Sequence, residues 1–267
     1  MYTLTKAQEF NSKCYLGEGL FADKNNLFWV DIEKKSIFCN GKVLHKNLPF
    51  IPTVVFDYQE PNLTLGTDIG IMEFSIKTSK YKFISESLKH KNILYRSNDG
   101  GIFQDKTLLG FMHKYSPDID PGYILCFSKN SVAKIDNEIK IPNGFIPIDN
   151  RSILINDSHS GKIWKFTVSE DGFSKKLWHD CGKNFSPDGG CMVENHIFIC
   201  MWGSSSIFVF DLEANKICDL SLEVEFPTNC KFIKNKKLIA VTSANFRENM
   251  NNNNRNGNSF IFKLSKL

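Results

Sequence analysis

One two-part unit recurs along the chain, and it restricts the fold more than any other feature. Leu27-Phe28-Trp29-Val30-Asp31 is followed after a turn by Ser36-Ile37-Phe38-Cys39. The same pairing returns as Leu63-Thr64-Leu65-Gly66-Thr67 with Gly70-Ile71-Met72-Glu73-Phe74, and as Leu108-Leu109-Gly110-Phe111-Met112 with Tyr123-Ile124-Leu125-Cys126-Phe127. It returns again around Ser152–Asp157, His196–Cys200 and Lys237–Val241. The copies are spaced by roughly 35 to 45 residues, the range of propeller blades. Each also has an apolar segment upstream, such as Val54-Val55-Phe56 or Cys191-Met192-Val193. With a polar edge strand, each copy becomes a four-stranded antiparallel sheet. The expected fold is therefore all-β, a six-bladed propeller, with residues 1–267 as one domain. Ser85–Lys89 is the best helix candidate, and it is short and weak.

In a propeller the first strand of every blade is innermost, and all the innermost strands run the same way. Their starts ring one mouth of the channel. The residues at those starts are Glu18, Thr53, Asn98, Asn143, Asp188 and Thr228 with Asn229. Four of these starts carry an oxygen-bearing side chain directly before a glycine: Gly17-Glu18-Gly19, Ser97-Asn98-Asp99-Gly100, Pro142-Asn143-Gly144 and Pro187-Asp188-Gly189. Each stretch alone is ordinary turn chemistry. The shared position in the repeat is what brings them to one height around one axis.

Composition narrows the function classes. Phe occurs 23 times and 42% of residues are hydrophobic, which suits a β-rich core. The 33 basic and 29 acidic residues leave a net charge of +4, without a basic stripe or nucleic-acid motif. Lysine groups such as Lys34-Lys35, Lys175-Lys176 and Lys234 to Lys237 are expected in solvated hairpin turns. The eight cysteines form no C-x-x-C pair and are expected as reduced, mostly buried thiols. No apolar run approaches the length of a membrane span and no leader-like segment opens the chain, so a cytoplasmic location is expected. The six histidines share no metal-ligand spacing, and Asp157 with His159 reads as a hairpin turn. Asn245–Asn258 is Asn-rich and reads as a mobile loop within the last blade.

Glu18 and Asp188 place two carboxylates at a narrow mouth, with the amide oxygen of Asn143 beside them. Two facing negative charges repel, and a bound divalent cation resolves the repulsion. Oxygen-only ligation suits Ca²⁺, Mg²⁺ or Mn²⁺ better than a thiolate-type zinc site. Three protein ligands leave positions open for water and a substrate oxygen, as metal-assisted hydrolysis requires. Arg96 and Asn98 either contact substrate hydroxyls and carbonyls or, for the arginine, pair with a neighbouring blade.

These motifs resemble the senescence marker protein/gluconolactonase/luciferin-regenerating enzyme family. Leu16-Gly17-Glu18-Gly19 with Phe28-Trp29-Val30-Asp31-Ile32 is similar to the family's opening signature. Arg96-Ser97-Asn98-Asp99-Gly100 is similar to its R-x-N-D-G motif, and Pro142-Asn143-Gly144 and Pro187-Asp188-Gly189 to its N-G and P-D-G motifs. Pro227-Thr228-Asn229-Cys230 and Val241-Thr242-Ser243-Ala244 resemble its final blade. The resemblance implies one divalent metal, Ca²⁺ foremost with Zn²⁺, Mn²⁺ or Mg²⁺ as alternatives, held by Glu18, Asn143 and Asp188. It also implies Arg96 and Asn98 as substrate contacts and Asp188 as general base in hydrolysis of a sugar lactone. The expected partner is that small molecule, with no nucleic acid or membrane, and the expected state is a monomer or weak homo-oligomer.

The chain departs from the family pattern at three places. Phe103 stands where an Asp is common, Gly110-Phe111-Met112 replaces G-T-M, and His113-Lys114-Tyr115 follows where an acid is common. These changes predict a substrate wall that is less acidic and more aromatic. Two other readings stay open beside the lactonase: a propeller that binds metal and a small ligand without turnover, and a hydrolase of other esters.

Overall fold

The computed structural model describes residues 2–23, 25–86, 94–129, 131–170, 172–245 and 254–266. It is a six-bladed β-propeller of four-stranded antiparallel sheets. Blade 1 is β2 (Gly17–Ala22), β3 (Leu27–Asp31), β4 (Ser36–Cys39) and β5 (Lys42–His45). Blade 2 is β6 (Pro52–Gln59), β7 (Asn62–Thr67), β8 (Gly70–Ser75) and β9 (Tyr81–Glu86). Blade 3 is β10 (Tyr95–Phe103), β11 (Lys106–His113), β12 (Tyr123–Ser128) and β13 (Ser131–Asp136). Blade 4 is β14 (Pro142–Pro147), β15 (Ser152–Asp157), β16 (Lys162–Ser169) and β17 (Gly172–Asp180). Blade 5 is β18 (Ser186–Val193), β19 (His196–Trp202), β20 (Ser206–Phe210) and β21 (Lys216–Ser221).

Blade 6 combines the two ends of the chain. Its inner strands are β22 (Pro227–Ile233), β23 (Leu238–Ser243) and β24 (Ser259–Lys266), and its outermost strand is β1 (Tyr2–Phe10). The register runs from Tyr2 opposite Lys266 to Phe10 opposite Ser259, so the N-terminal strand closes the ring. This pairing covers β24, where Phe260 and Phe262 are buried, and leaves the more exposed β1 as the edge of the sheet.

The burial of each strand follows its place in the blade. Several second and third strands are covered on both faces: Leu27–Asp31, Ser152–Asp157 and Ser206–Phe210 are buried along their whole length. Such strands read as continuous apolar runs, which is why they dominate the repeat. The fourth strands face solvent and carry charge; Lys42–His45 is exposed over most of its length. Lys175 and Lys176 lie in the edge strand β17 rather than in a turn, and Lys175 pairs with Asp136 and Glu138 of blade 3 at 2.5 Å each. Charge on an edge strand blocks pairing with another sheet, a reason for lysine there that turn chemistry does not capture.

The core lies between blades rather than inside any one of them. Val30, Ile37, Leu65 and Phe74 join blades 1 and 2, and Phe198, Val209, Val241 and Phe260 join blades 5 and 6. Trp29 stacks on Phe38 with ring centroids 5.3 Å apart. All eight cysteines are free thiols, and Cys14, Cys126, Cys191, Cys200 and Cys230 are buried. Ser85 and Glu86 belong to β9, and Ser87–Lys89 lie outside the described residues. Among the described residues no helix is long and apolar enough to cross a membrane.

Of the Asn-rich segment, residues 246–253 lie outside the described residues. The remainder is anchored: the side chain of Asn256 accepts a hydrogen bond from the Glu225 N–H at 2.9 Å, and Gly257 C=O accepts from the Cys14 N–H at 2.9 Å. The expectation of a loose loop does not hold for 254–258.

Candidate metal centre

Every innermost strand breaks its pairing at the same height. The register shifts between Glu18 and Phe21, Pro52 and Val54, Ser97 and Gly100, Asn143 and Ile146, Pro187 and Gly190, and Pro227 and Asn229. A β-bulge bends the strand and re-aims its side chains, which a regular pleat would send alternately to the two blade faces. Six bulges at one level therefore turn side chains inward to the axis. Glycine makes this geometry possible at Gly19 (φ 61°) and Gly144 (φ 56°), where side chains are disfavoured. A Cβ on Gly144 would also stand 2.6 Å from the Asp188 carbonyl oxygen.

The predicted residues converge. Glu18, Asn143 and Asp188 are each 4% exposed, on blades 1, 4 and 5. The carboxyls of Glu18 and Asp188 are within hydrogen-bonding reach of each other. Asn98 donates from Nδ2 to Asn143 Oδ1 at 2.9 Å and to the Pro142 carbonyl at 3.1 Å. Arg96 donates from one terminal nitrogen to Asn98 Oδ1 at 2.8 Å and to the Ser97 carbonyl at 2.9 Å. Both of these hydrogen bonds stay within the arginine's own blade, at its end of the site.

Thr53 and Thr228 share the height but not the role. Thr53 Oγ1 bonds to Ser97 Oγ at 2.9 Å, and Thr228 Oγ1 bonds to the Gly17 carbonyl and to Thr242 Oγ1. Both hydroxyls are consumed in joining blades. Of the ring, Glu18, Asn98, Asn143 and Asp188 are left for the site, with Asn229 standing in for Thr228 beside Glu18.

Three groups at the centre were not singled out as site residues by sequence reasoning. Asp99 is 3% exposed, and its two oxygens accept from the Gly100 and Gly144 N–H groups at 2.8 Å each, so it pins blade 3 to the glycine after Asn143. Ser158 receives the Asn143 amide at 2.8 Å and donates to the Pro187 carbonyl at 2.7 Å. Asn156 donates to the Asp188 carbonyl. Asp99 carries a signal in its place beside Asn98 at an inner-strand start. Ser158 and Asn156 come from the second strand of blade 4 and the turn after it, where the repeat argument assigns no function.

The electrostatics are those of acids held without enough counter-charge. Burial pushes the Glu18 carboxyl up to about 8, helped by the charge of Asp99 and eased by the Gly19 N–H, Asn229 and Asp188. Asp188 is raised well above the usual carboxylate range, first by burial and then by Glu18 and Asp99. Burial also raises Asp99, against the pull of Lys231 and its two N–H bonds. Below the ring, a cavity of about 110 Å³ is lined by Asp99, Asn229 and Lys231 among apolar side chains.

The residues fit a hard divalent cation. Glu18, Asp188 and Asn143 offer oxygen only, from three blades, and the buried Asn229 Oδ1 beside them has no hydrogen-bond partner among the described residues. Two adjacent buried carboxyls must otherwise share a proton. Among the described residues no three His, Cys, Asp or Glu side chains form a metal-binding cluster.

The three departures from the family pattern resolve differently from expectation. Phe103 is 2% exposed and belongs to the core between blades 3 and 4. Phe111 is equally buried and stacks on Tyr123 at 4.8 Å in the core between blades 2 and 3. Neither adds an aromatic surface to the mouth. Phe111 pairs with Ser97 at the level of the site, so it is the direction of the side chain, into the seam between blades, that decides this. His113 is buried, with Nδ1 accepting from the Tyr115 and Ser116 N–H groups, while Tyr115 is exposed.

Residues 16–245 match the family model described as SMP-30/Gluconolactonase/LRE-like region. No match is found among curated proteins. Among solved structures, the chain is similar to a calcium-binding protein, regucalcin, from Agrobacterium tumefaciens, at 20% identity and a TM-score of 0.85, covering 97% of this chain and 95% of that one. It is similar to luciferin-regenerating enzyme at 15% identity and a TM-score of 0.85, covering 100% and 96% of the two chains. It is also similar to a gluconolactonase, XC5397 of Xanthomonas campestris, at 14% identity and a TM-score of 0.72, covering 95% and 88%. At these identities the likeness establishes the fold.

Proposed function

The chain belongs to the SMP-30/gluconolactonase/LRE-like family, and on that premise we propose that it hydrolyses a sugar lactone to the open-chain acid with the help of one divalent cation, Ca²⁺ foremost. The observation that carries this reading is the convergence of Glu18, Asn143 and Asp188 from three blades, buried and short of positive charge. Glu18, Asn143 and Asp188 would hold the cation. When bound, such an ion supplies Lewis-acid polarisation of a carbonyl and lowers the pKa of water.

The chain's own residues account for the remaining tasks. Arg96 is partly exposed at the mouth, with its fork anchored on Asn98 and the Ser97 carbonyl. It presents its other N–H groups to the oxygens of a lactone. Asn98, bonded on both sides, keeps the ring in one orientation. Asp188 takes a proton from the attacking water as the new C–O bond forms at the lactone carbonyl. The ring C–O bond then breaks, and the proton returns to the departing ring oxygen. The product acid ionises and releases one proton per turnover.

The test is hydrolysis of glucono-, galactono-, xylono- and arabinonolactone, followed with a pH indicator and corrected for spontaneous opening. Asp188→Ala is expected to lose about 100- to 10,000-fold in rate, the usual contribution of a positioned general base. Wild-type rates in that variant would remove Asp188 from the chemistry.

A further inference from the structure

Among the three proposed ligands, Asn143 alone has an orientation problem. A carboxylate presents oxygen whichever way it turns, but an amide presents oxygen in one orientation and NH₂ in the other. An NH₂ group turned to a divalent cation is repelled. Something must fix the amide before the metal arrives, and the hydrogen bonds around it do so.

The bonds form a chain with a forced direction. Arg96 has only donors, and it donates to Asn98 Oδ1 at 2.8 Å. Asn98 must then turn its NH₂ to Asn143, donating to Oδ1 at 2.9 Å. Asn143 donates from Nδ2 to Ser158 Oγ at 2.8 Å, and Ser158 donates to the Pro187 carbonyl at 2.7 Å. The last acceptor, a carbonyl oxygen, has no hydrogen to give. The serine hydroxyl has one hydrogen, and Pro187 holds it, so only lone pairs face Asn143. A reversed amide would set oxygen against lone pairs at Ser158 and NH₂ against NH₂ at Asn98. Asn143 Oδ1, with one lone pair used by Asn98, keeps the other for the site. The same hydroxyl fastens Asn143 to the carbonyl one residue before Asp188.

From this we infer that Ser158 is a positioning residue of the metal centre: its hydroxyl fixes the Asn143 amide with oxygen toward the mouth and couples it to the strand that carries Asp188. The inference rests on the reading that Glu18, Asn143 and Asp188 hold a cation. It adds a residue that never touches metal or substrate.

The experiment is calorimetric titration of Ca²⁺ into chelator-stripped protein, for wild type, Ser158→Ala, Ser158→Thr, Asn143→Ala and the Ser158→Ala/Asn143→Ala double variant. Ser158→Ala is expected to weaken Ca²⁺ binding about 10- to 100-fold, the usual effect of losing a group that orients a metal ligand. Ser158→Thr keeps the hydroxyl and is expected to stay close to wild type. The double variant is expected to bind no more weakly than Asn143→Ala alone, because both changes remove one function. A merely structural serine would give losses that add. Wild-type affinity in Ser158→Ala, or additive losses, overturns the inference while leaving the metal reading intact. No heat of binding to wild type for Ca²⁺, Mg²⁺, Mn²⁺ or Zn²⁺ overturns the metal reading and this role with it. If Ser158→Ala does not fold, Ser158→Cys replaces it, since a thiol is a weak donor and acceptor at the same place.

Discussion

The raised acids make the metal-free protein sensitive to pH in an unusual sense. Glu18 rises from 4.5 to about 8 on folding, chiefly through burial. Between those values the folded state holds a proton that the unfolded chain has lost. The unfolded state therefore binds fewer protons, and stability falls as pH rises through that window. The contribution is fully present below 4.5 and is lost by about pH 8. At about 1.4 kcal/mol per pH unit, the interval from pH 5 to pH 8 is worth on the order of 4 kcal/mol for this group. Asp188 and Asp99 shift in the same direction and do not cancel it. For a chain of this size that corresponds to a drop in Tm of about 10 °C. The assay is thermal unfolding in a chelator at pH 5, 6, 7 and 8, repeated with excess Ca²⁺ and with Glu18→Gln. The metal-free Tm is expected to fall with pH. Ca²⁺ is expected to restore most at pH 8, where the carboxylates are free to ionise against it, and Glu18→Gln to flatten the metal-free curve. A metal-free Tm that stays level or rises from pH 5 to pH 8 would refute the reasoning, because the acids would then be neither buried nor crowded as described.

Three further perturbations test separate parts of the account. Asn98→Ala is expected to raise KM for the lactone more than it lowers kcat; an unchanged KM removes Asn98 from the substrate site. Gly144→Ala forces a side chain into a left-handed φ and against the Asp188 carbonyl, so denaturant unfolding should show a loss of at least about 1 kcal/mol; a neutral result would mean that the bulge rearranges freely. Phe198→Ala empties a fully buried position between blades 5 and 6 and is expected to cost about 3 to 5 kcal/mol in the same measurement, without altering Ca²⁺ affinity beyond its effect on folding.

Much of the architecture is legible from the order of the residues because a propeller repeats one local rule. Strands such as Ser152–Asp157 are buried throughout around an apolar centre, Ile153-Leu154-Ile155, and the spacing of such centres sets blade number before any contact is known. The inner-strand starts follow from the same period, which is how Glu18, Asn143 and Asp188 come to one mouth. What the period cannot express is direction within a blade. Phe103 and Phe111 look like wall residues from their place near the motifs, but both turn into the seams between blades. Thr53 and Thr228 sit in the right register and yet spend their hydroxyls on neighbouring blades. Ser158 and Asn156 lie one strand away from every motif, and only the approach of blade 5 to blade 4 gives them partners. Hydrogen-bond direction is a tertiary property, and a single sequence carries no trace of it.

The most direct measurement is lactone hydrolysis by metal-stripped protein as Ca²⁺, Mn²⁺, Mg²⁺ and Zn²⁺ are added back one at a time. Turnover that is absent in the stripped protein and restored by one of the oxygen-seeking ions, with Glu18→Gln and Asp188→Ala unresponsive, is the predicted result. Hydrolysis that proceeds undiminished without metal, or metal binding with no turnover on any lactone, would contradict the account.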